Sequence, residues 1–220
     1  MPRTKTKPTN NGHTALAEDQ ITDGAAFGMS LQEPFLVEIT VVGTSALLMH
    51  GWNIQSIDSK AEAKKGSREK KTDNLESYVH RDDKGFLAIP TVNLAAAIAE
   101  AARSMPDPRS PRKSARDLIK SVVQANRPFA TLEPKTKNWD FEHRCRVVIQ
   151  RAGITRTRPA MKEGWKATFL LQNNGPEYFS EEAIHLLAVQ AGRVAGLCDG
   201  RAIGYGKFRV TNFRRIAFKD

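Results

Sequence analysis

The sequence predicts an α+β fold in which helices cover one face of an open sheet. Three observations predict it. Stretches of strict two-residue alternation, such as Phe35-Leu36-Val37-Glu38-Ile39-Thr40-Val41, mark half-buried strands. Two stretches of helical periodicity interrupt them, one opening after Pro90 and one after Ser180. A glycine-studded turn, Gly196-Leu197-Cys198-Asp199-Gly200-Arg201-Ala202-Ile203-Gly204-Tyr205-Gly206-Lys207-Phe208, then joins the last helix to the last strand.

Taken in order, residues 1–33 are polar, rich in Thr, Asn, Gly and Lys, and without a period, which is the pattern of a mobile tail. The first strand turns Phe35, Val37, Ile39 and Val41 to one side and runs toward Leu47, Leu48 and Met49. Residues 51–76 read as an insertion. Between Lys60 and Lys71 six basic residues face two acids with almost no apolar partner, so the segment cannot be core. A hairpin is expected next, Tyr78 to Arg81 and Phe86 to Ile89, turned by Asp82-Asp83-Lys84-Gly85.

Thr91 is a plausible N-cap for a helix carrying Leu94, Ile98 and Met105 among small alanines, ended by Pro106 and Pro108. Residues 106–140 read as a second insertion. Within it a helix is expected from Ser114 to Ala125, with Arg112, Arg116 and Lys120 four apart as a basic stripe. Two strands follow. One alternates Cys145, Val147 and Ile149 with Arg144, Arg146 and Gln150, and the other alternates Trp165, Ala167, Phe169 and Leu171 with Lys166, Thr168 and Gln172.

The last helix opens on Ser180 with Glu181 and Glu182 in its first turn, where carboxylates suit the positive end of the helix dipole. Ile184, Leu187, Ala188, Ala191 and Ala195 form its apolar face, and Gly196 occupies the C-cap position. In the final strand Phe208 and Val210 face inward and Arg209 and Thr211 outward, while Phe213 breaks the alternation as a bulge would. Strand, helix, strand, strand, helix, strand is the ferredoxin-like (RRM-related) βαββαβ order. The expectation is one such domain, residues 34–220, with basic loop insertions and an open sheet face carrying Thr40, Arg144, Arg146, Lys166, Thr168 and Arg209.

Composition narrows the function. Lys and Arg number 34 against 24 Asp and Glu, a formal net charge of +10, which points to a polyanionic partner. No apolar run approaches the roughly 20 residues that span a bilayer, and the N-terminus lacks the apolar centre of a signal peptide. A cytoplasmic protein without membrane partners is expected. Cys145 and Cys198 form neither a metal-ligand spacing nor a disulfide framework, and no histidine pair has ligand spacing, so no metal and no cofactor is expected.

The glycine turn is the most distinctive feature. A helix C-cap explains Gly196 but not Gly200, Gly204 and Gly206. Closely spaced glycines bring a backbone near a bulky group and expose its N–H donors, and Arg201 and Lys207 add charge, so a phosphate is the natural guest. Tyr205 lies within the same turn.

Four segments in this order, Val37 to Ser45, Leu87-Ala88-Ile89-Pro90 before the alanine-rich helix, Thr155-Arg156-Thr157-Arg158-Pro159, and Gly200 to Phe208, resemble the RAMP superfamily of CRISPR-associated proteins. The likeness is to the backbone subunits of Cascade-like effectors, whose glycine-rich loop follows the second core helix. The chain is short for such a subunit, as a minimal or phage-borne version would be.

The resemblance implies a subunit without catalysis of its own. It would stack head to tail as a homo-oligomeric filament on guide RNA, present the bases to a complementary target nucleic acid, and join other effector subunits. It also implies a thumb hairpin, for which the segment from Arg151 to Lys162 with Arg156 and Arg158 is the candidate. Lys64, Lys65, Arg68, Lys70 and Lys71 become candidate finger contacts. Asp58 lies in the loop where RNA-targeting relatives carry a cleaving aspartate, but a solvated loop acid is the simpler reading.

Two other readings stay open. One is a guide-processing endoribonuclease of the same superfamily using His50, beside Trp52, as general base. The other is a phage protein that coats single strands without a guide. The aromatics Trp165, Phe169 and Phe208 alternate onto the apolar face, so base stacking on the open face is not expected.

Overall fold

The structure is a computed structural model that describes residues 31–51, 62, 74–149 and 152–216. Lys64, Lys65, Arg68, Lys70, Lys71 and Arg151, together with Trp52 and Asp58, lie outside the described residues, as does nearly all of the N-terminal segment.

Strand β1, Phe35–Gly43, is followed by the short β2, Leu47–Leu48. A 3₁₀ turn, Leu75–Tyr78, leads to the β3–β4 hairpin, His80–Arg81 and Leu87–Pro90. Its turn is the predicted one: the Asp82 carboxylate accepts the N–H groups of Lys84 and Phe86, both at 2.9 Å, and Gly85 takes φ +78°. Helix α1 spans Thr91–Ala101. It stops before Met105, and residues 106–114 form the β5–β6 hairpin, Pro106–Asp107 and Ser110–Ser114. Helix α2 spans only Arg116–Val122. The basic stripe therefore does not form as expected. Arg112 sits in β6 beside Pro111, which has no N–H to give a helix, and only Arg116 and Lys120 share the helix.

Strands β7, Val123–Ala125, and β8, Phe129–Glu133, follow, then β9, Phe141–Ile149, β10, Ala152–Met161, and β11, Lys166–Asn173. Helix α3, Glu181–Val194, and β12, Phe208–Ile216, complete the chain. Ser180 caps α3 by accepting the Ala183 N–H at 3.3 Å.

The main sheet runs β12-β1-β11-β8-β4-β3, and β7 pairs with β11 beyond the reach of β8. Every pairing in it is antiparallel. The register of β1 against β12 shifts between Thr40 and Val41, which is the bulge that Phe213 announces. One face of the sheet packs on α1 and α3. Ile39, Val41, Phe169, Leu171, Leu94, Ile98, Ile184 and Ala188 are buried there in one core. The apolar face read for α3 is the buried one.

One expectation fails here. Residues 144–150 were expected to supply a strand of the main sheet. They belong instead to a separate three-stranded sheet ordered β2-β10-β9, in which β9 and β10 form a long two-stranded ribbon. The place of the expected strand is taken by β7 and β8, from the segment read as an insertion. Alternation identifies a strand but not its partner, and the sequence-adjacent hairpin captured β9. Arg144 and Arg146 are consequently not on the open face of the main sheet. Thr40, Lys166, Thr168 and Arg209 are, by their register.

Candidate nucleic-acid interface

The glycine turn is constrained from within. Gly196, Gly200, Gly204 and Gly206 all have φ between +69° and +96°, and Cys198 has φ +58°. The left-handed region costs an ordinary residue about 1–2 kcal/mol, so glycine is favoured at each of these sites. Packing demands it at two of them. A Cβ at Gly206 would overlap the Leu197 carbonyl oxygen, and one at Gly200 would press on Tyr205 and Leu48. Gly204 differs, because nothing lies within 4 Å of its missing Cβ.

Most of the turn's amides are spent inside the protein. Leu197 N–H donates to Gly206 O (2.8 Å), Gly206 N–H to Ala46 O (2.8 Å), Asp199 N–H to Leu48 O (2.9 Å) and Lys207 N–H to Ser45 Oγ (2.9 Å). Ile203, Gly204 and Tyr205 donate within the short 3₁₀ turn Arg201–Ile203 that forms the tip. The glycines thus serve first to clamp the turn onto the end of β1 rather than to leave donors free. What the clamp presents to solvent is the exposed tip, Arg201, Ala202, Ile203 and Gly204.

Lys207 points away from that tip. Its ammonium donates to the carbonyls of Val194 (2.8 Å) and Ala195 (3.3 Å) and so neutralises the negative end of α3.

Asp199 ties the turn to the ribbon. Its Oδ2 accepts Arg158 Nε–H at 2.9 Å and its Oδ1 accepts the Gly200 N–H at 2.8 Å. Burial by itself would raise this carboxyl. The hydrogen bonds from Arg158 and the Gly200 amide, with the charges of Arg158 and His50, outweigh it and hold the group below the usual carboxylate range. Arg158, only 9% exposed, also donates to Thr157 O (3.2 Å) and lies 5.0 Å over the Tyr78 ring. His50 Nδ1 lies 3.6 Å from Asp199 Oδ2, and its ring meets Tyr78 edge-on at 4.8 Å. A second tie runs from Tyr205 Oη to His143 Nε2 at 2.9 Å.

The register of the ribbon sorts the other cations. His143 faces Arg158 and Cys145 faces Arg156, so Arg156 and Arg158 share the ribbon side that meets the glycine turn. Arg144 faces Thr157 and Arg146 faces Thr155, on the opposite side. The Arg146 side chain lies outside what the structure describes. Arg144 is well exposed, 4.0 Å from Glu142. Arg112 is exposed on β6, and Arg116 is paired with Glu100 at 3.1 Å.

The chain therefore ties Arg158 and Tyr205 across one junction, with Arg156 on the same ribbon side as Arg158 and Arg201 at the tip of the same turn as Tyr205. It turns Lys207 inward and sets Arg112, Arg116 and Arg144 elsewhere. The anchoring roles of Asp199 and His143 were not visible in the sequence, since each depends on a partner more than 40 residues away.

Burial pushes the Cys198 thiol up to about 12. Cys198 is half-buried, so at pH 8 a maleimide is expected to label it at least about 10-fold more slowly in the folded protein than after denaturation, as read by peptide mass mapping. Native-state labelling at the rate of a free thiol would contradict the packing of this turn.

Among the described residues no helix is long and apolar enough to cross a membrane, and no three His, Cys, Asp or Glu side chains gather as a metal-binding group.

No family model matches the chain, and no curated protein matches its sequence. Similar solved structures exist. One belongs to the Type III-B Cmr-beta complex bound to cognate target RNA, with a TM-score of 0.48 and 8% identity over 84% of this chain. This chain spans 61% of that one. Another belongs to a Csm3–Csm4 subcomplex of the type III-A CRISPR-Cas interference complex, with a TM-score of 0.38 and 14% identity, covering 86% of this chain and 81% of that one.

Proposed function

We propose that this chain is an RNA-binding subunit of the RAMP type, which holds a single strand by its phosphates and performs no chemistry on it. The main-sheet order β12-β1-β11-β7, with a helix after β1 and another after β11, supports a ferredoxin-like core. The observation that carries the reading is the locked junction between ribbon and glycine turn. Arg158–Asp199 and Tyr205–His143 fix the two pieces together, and Arg156 and Arg201 belong to that same assembly. A cationic ribbon standing on a clamped, solvent-facing bend suits a sugar–phosphate backbone, and it leaves the nucleobases free. The net charge of +10 supplies the long-range attraction. Polymerisation head to tail along guide RNA, pairing of the exposed bases with a target strand, association with other effector subunits and a cytoplasmic setting belong to the same proposal.

The test is equilibrium binding of a fluorescent oligouridine to the full chain at several salt concentrations. Log affinity is expected to fall linearly with log salt, with a slope of about −0.7 for each phosphate neutralised. A slope near zero, or affinity for duplex DNA equal to that for the single strand, would overturn the reading. Sequencing of co-purified nucleic acid separates a guide, one repeat-derived species, from mixed single strands coated without one.

One observation favours a second reading, cleavage with His50 as general base. Asp199 faces His50 Nδ1, as a carboxylate does when it orients a base. That carboxylate is already committed to Arg158. Loss of RNA cleavage in His50→Ala with binding retained would establish the ribonuclease.

A further inference from the structure

At the far edge of the main sheet from the glycine turn lies a cleft of about 310 Å³, lined by Asp82, Asp83, Lys84, Arg127, Pro128, Phe129, Thr131 and Lys135. It opens on the side of the sheet opposite α1 and α3, which no helix among the described elements covers. In β8, Ala130 and Leu132 are buried in the core while Phe129 and Thr131 alternate to the open face. Base stacking on this face was not expected, because Trp165, Phe169 and Phe208 turn into the core, as all three do. Phe129 escapes that argument. It is half-buried at the cleft, and the His80 ring lies 6.1 Å away, tilted by 35°. Burial lowers the His80 pKa, so near neutral pH this imidazole extends the ring surface without adding charge.

The charges around these rings are unbalanced. Lys84, Arg127 and Lys135 line the cleft, and Lys135 and Lys137 lie 5.9 Å and 5.7 Å from the centre of the Phe86 ring. None of these four cations makes an ion pair within 4.0 Å among the described residues. Asp82 and Asp83 line the same cleft, and the charge of Lys135 acts on Asp82, so the four cations exceed the carboxylates by two. The two oxygens of Asp82 accept the Lys84 and Phe86 amides and the Thr131 hydroxyl (2.8 Å), so its acceptor directions are turned into the hairpin. An aromatic platform beside an excess of cations, in a concavity large enough for one small ligand, is the combination that holds an unpaired nucleotide.

We propose that this cleft is a second single-stranded RNA contact, in which one unpaired base stacks on Phe129 and the adjoining phosphates meet Lys84, Arg127 and Lys135. Its ligand class rests on the RNA-binding reading above. Three strand intervals of roughly 4.8 Å separate β12, which the glycine turn enters, from β8, which carries Phe129, so the two contacts lie on the order of 15 Å apart across the sheet. A strand engaging both crosses the open face over Thr168 and Lys166, and single nucleotides reach only one.

The test compares three variants of the full chain by anisotropy with a dodecauridine. Phe129→Leu is expected to weaken binding by about 10-fold without changing the salt slope, because stacking releases no counterions. Lys84→Glu/Lys135→Glu is expected to flatten the slope by about 1.4. Arg156→Glu/Arg201→Glu reports the glycine-turn site. Thermal melting checks that each variant is folded, and the double lysine variant tests the cleft even if Phe129→Leu unfolds. Wild-type affinity retained in both cleft variants while Arg156→Glu/Arg201→Glu is impaired would overturn this cleft and leave the RNA-binding reading standing. Absence of RNA binding to the wild-type chain would overturn both. Binding of polyglutamate with the affinity of RNA, lost in the same cleft variants, would overturn the RNA assignment in favour of an acidic protein partner.

Discussion

Gly206→Ala is expected to lose more than about 3 kcal/mol of stability and to accumulate as unfolded protein, while Gly204→Ala, two residues away, loses about 1–2 kcal/mol and folds. The two glycines have similar backbone geometry, with φ +69° and +96°, so the left-handed cost is common to both. They differ in what a methyl group would meet. At Gly206 it overlaps the backbone carbonyl of Leu197, the residue whose N–H donates to Gly206 O and so closes the turn on itself. No rotamer change relieves a clash with backbone. Separating the two segments would also break Gly206 N–H to Ala46 O and shift the Asp199 anchor behind it. At Gly204 the methyl enters open space. With total stability typically 5–15 kcal/mol, the first loss is a large share and the second is tolerable. Urea unfolding followed by circular dichroism measures both. Equal losses would mean that the turn is not clamped in the way its hydrogen bonds describe.

Reversing two charges at the junction is expected to have the largest effect on function. Arg156→Glu/Arg201→Glu should weaken oligouridine binding by about 100-fold at 0.1 M salt, from two charge-assisted contacts of roughly 1.5 kcal/mol each, and flatten the salt slope by about 1.4. Arg144→Glu, an equal change in net charge per residue on the opposite side of the ribbon, should cost less than 5-fold, since it acts only through the screened field. The contrast separates contact from general electrostatics. If Arg144→Glu weakens binding as much as either single change at Arg156 or Arg201, the strand runs along the other side of the ribbon. Lys207→Met should leave RNA affinity nearly unchanged and lower stability, because its ammonium serves the end of α3.

Much of this was legible in the residues. The alternation of β1, β11 and β12, the Ser180 cap, the apolar face of α3, the Asp82 hairpin turn and the bulge near Phe213 are all local signals, decided within a few residues of backbone. The glycine turn was legible as a special conformation, and its left-handed residues are there. Its chemistry was less so. The same glycines that free a backbone for a ligand also allow it to pack on itself, and only the contacts at Leu197, Ala46 and Leu48 distinguish the two. Phe129-Ala130-Thr131-Leu132-Glu133 carries a period-two pattern that could have identified β8, but the surrounding prolines and lysines gave the segment the look of a loop.

Sequence alone determined the strands β1, β9, β11 and β12, the helices α1 and α3, the excess of positive charge, and the presence of a turn that only glycine can make. Tertiary structure decided which strand pairs with which, sending β9 to a ribbon and β7 and β8 to the main sheet. It also decided which cations are spent and which remain available. Lys207 and Arg116 found acceptors within the protein, while Arg158 became a buried anchor. The physical reason is range. Backbone preference and periodicity act over a few neighbours, whereas strand pairing and charge neutralisation depend on residues tens of positions away that meet only once the chain has closed.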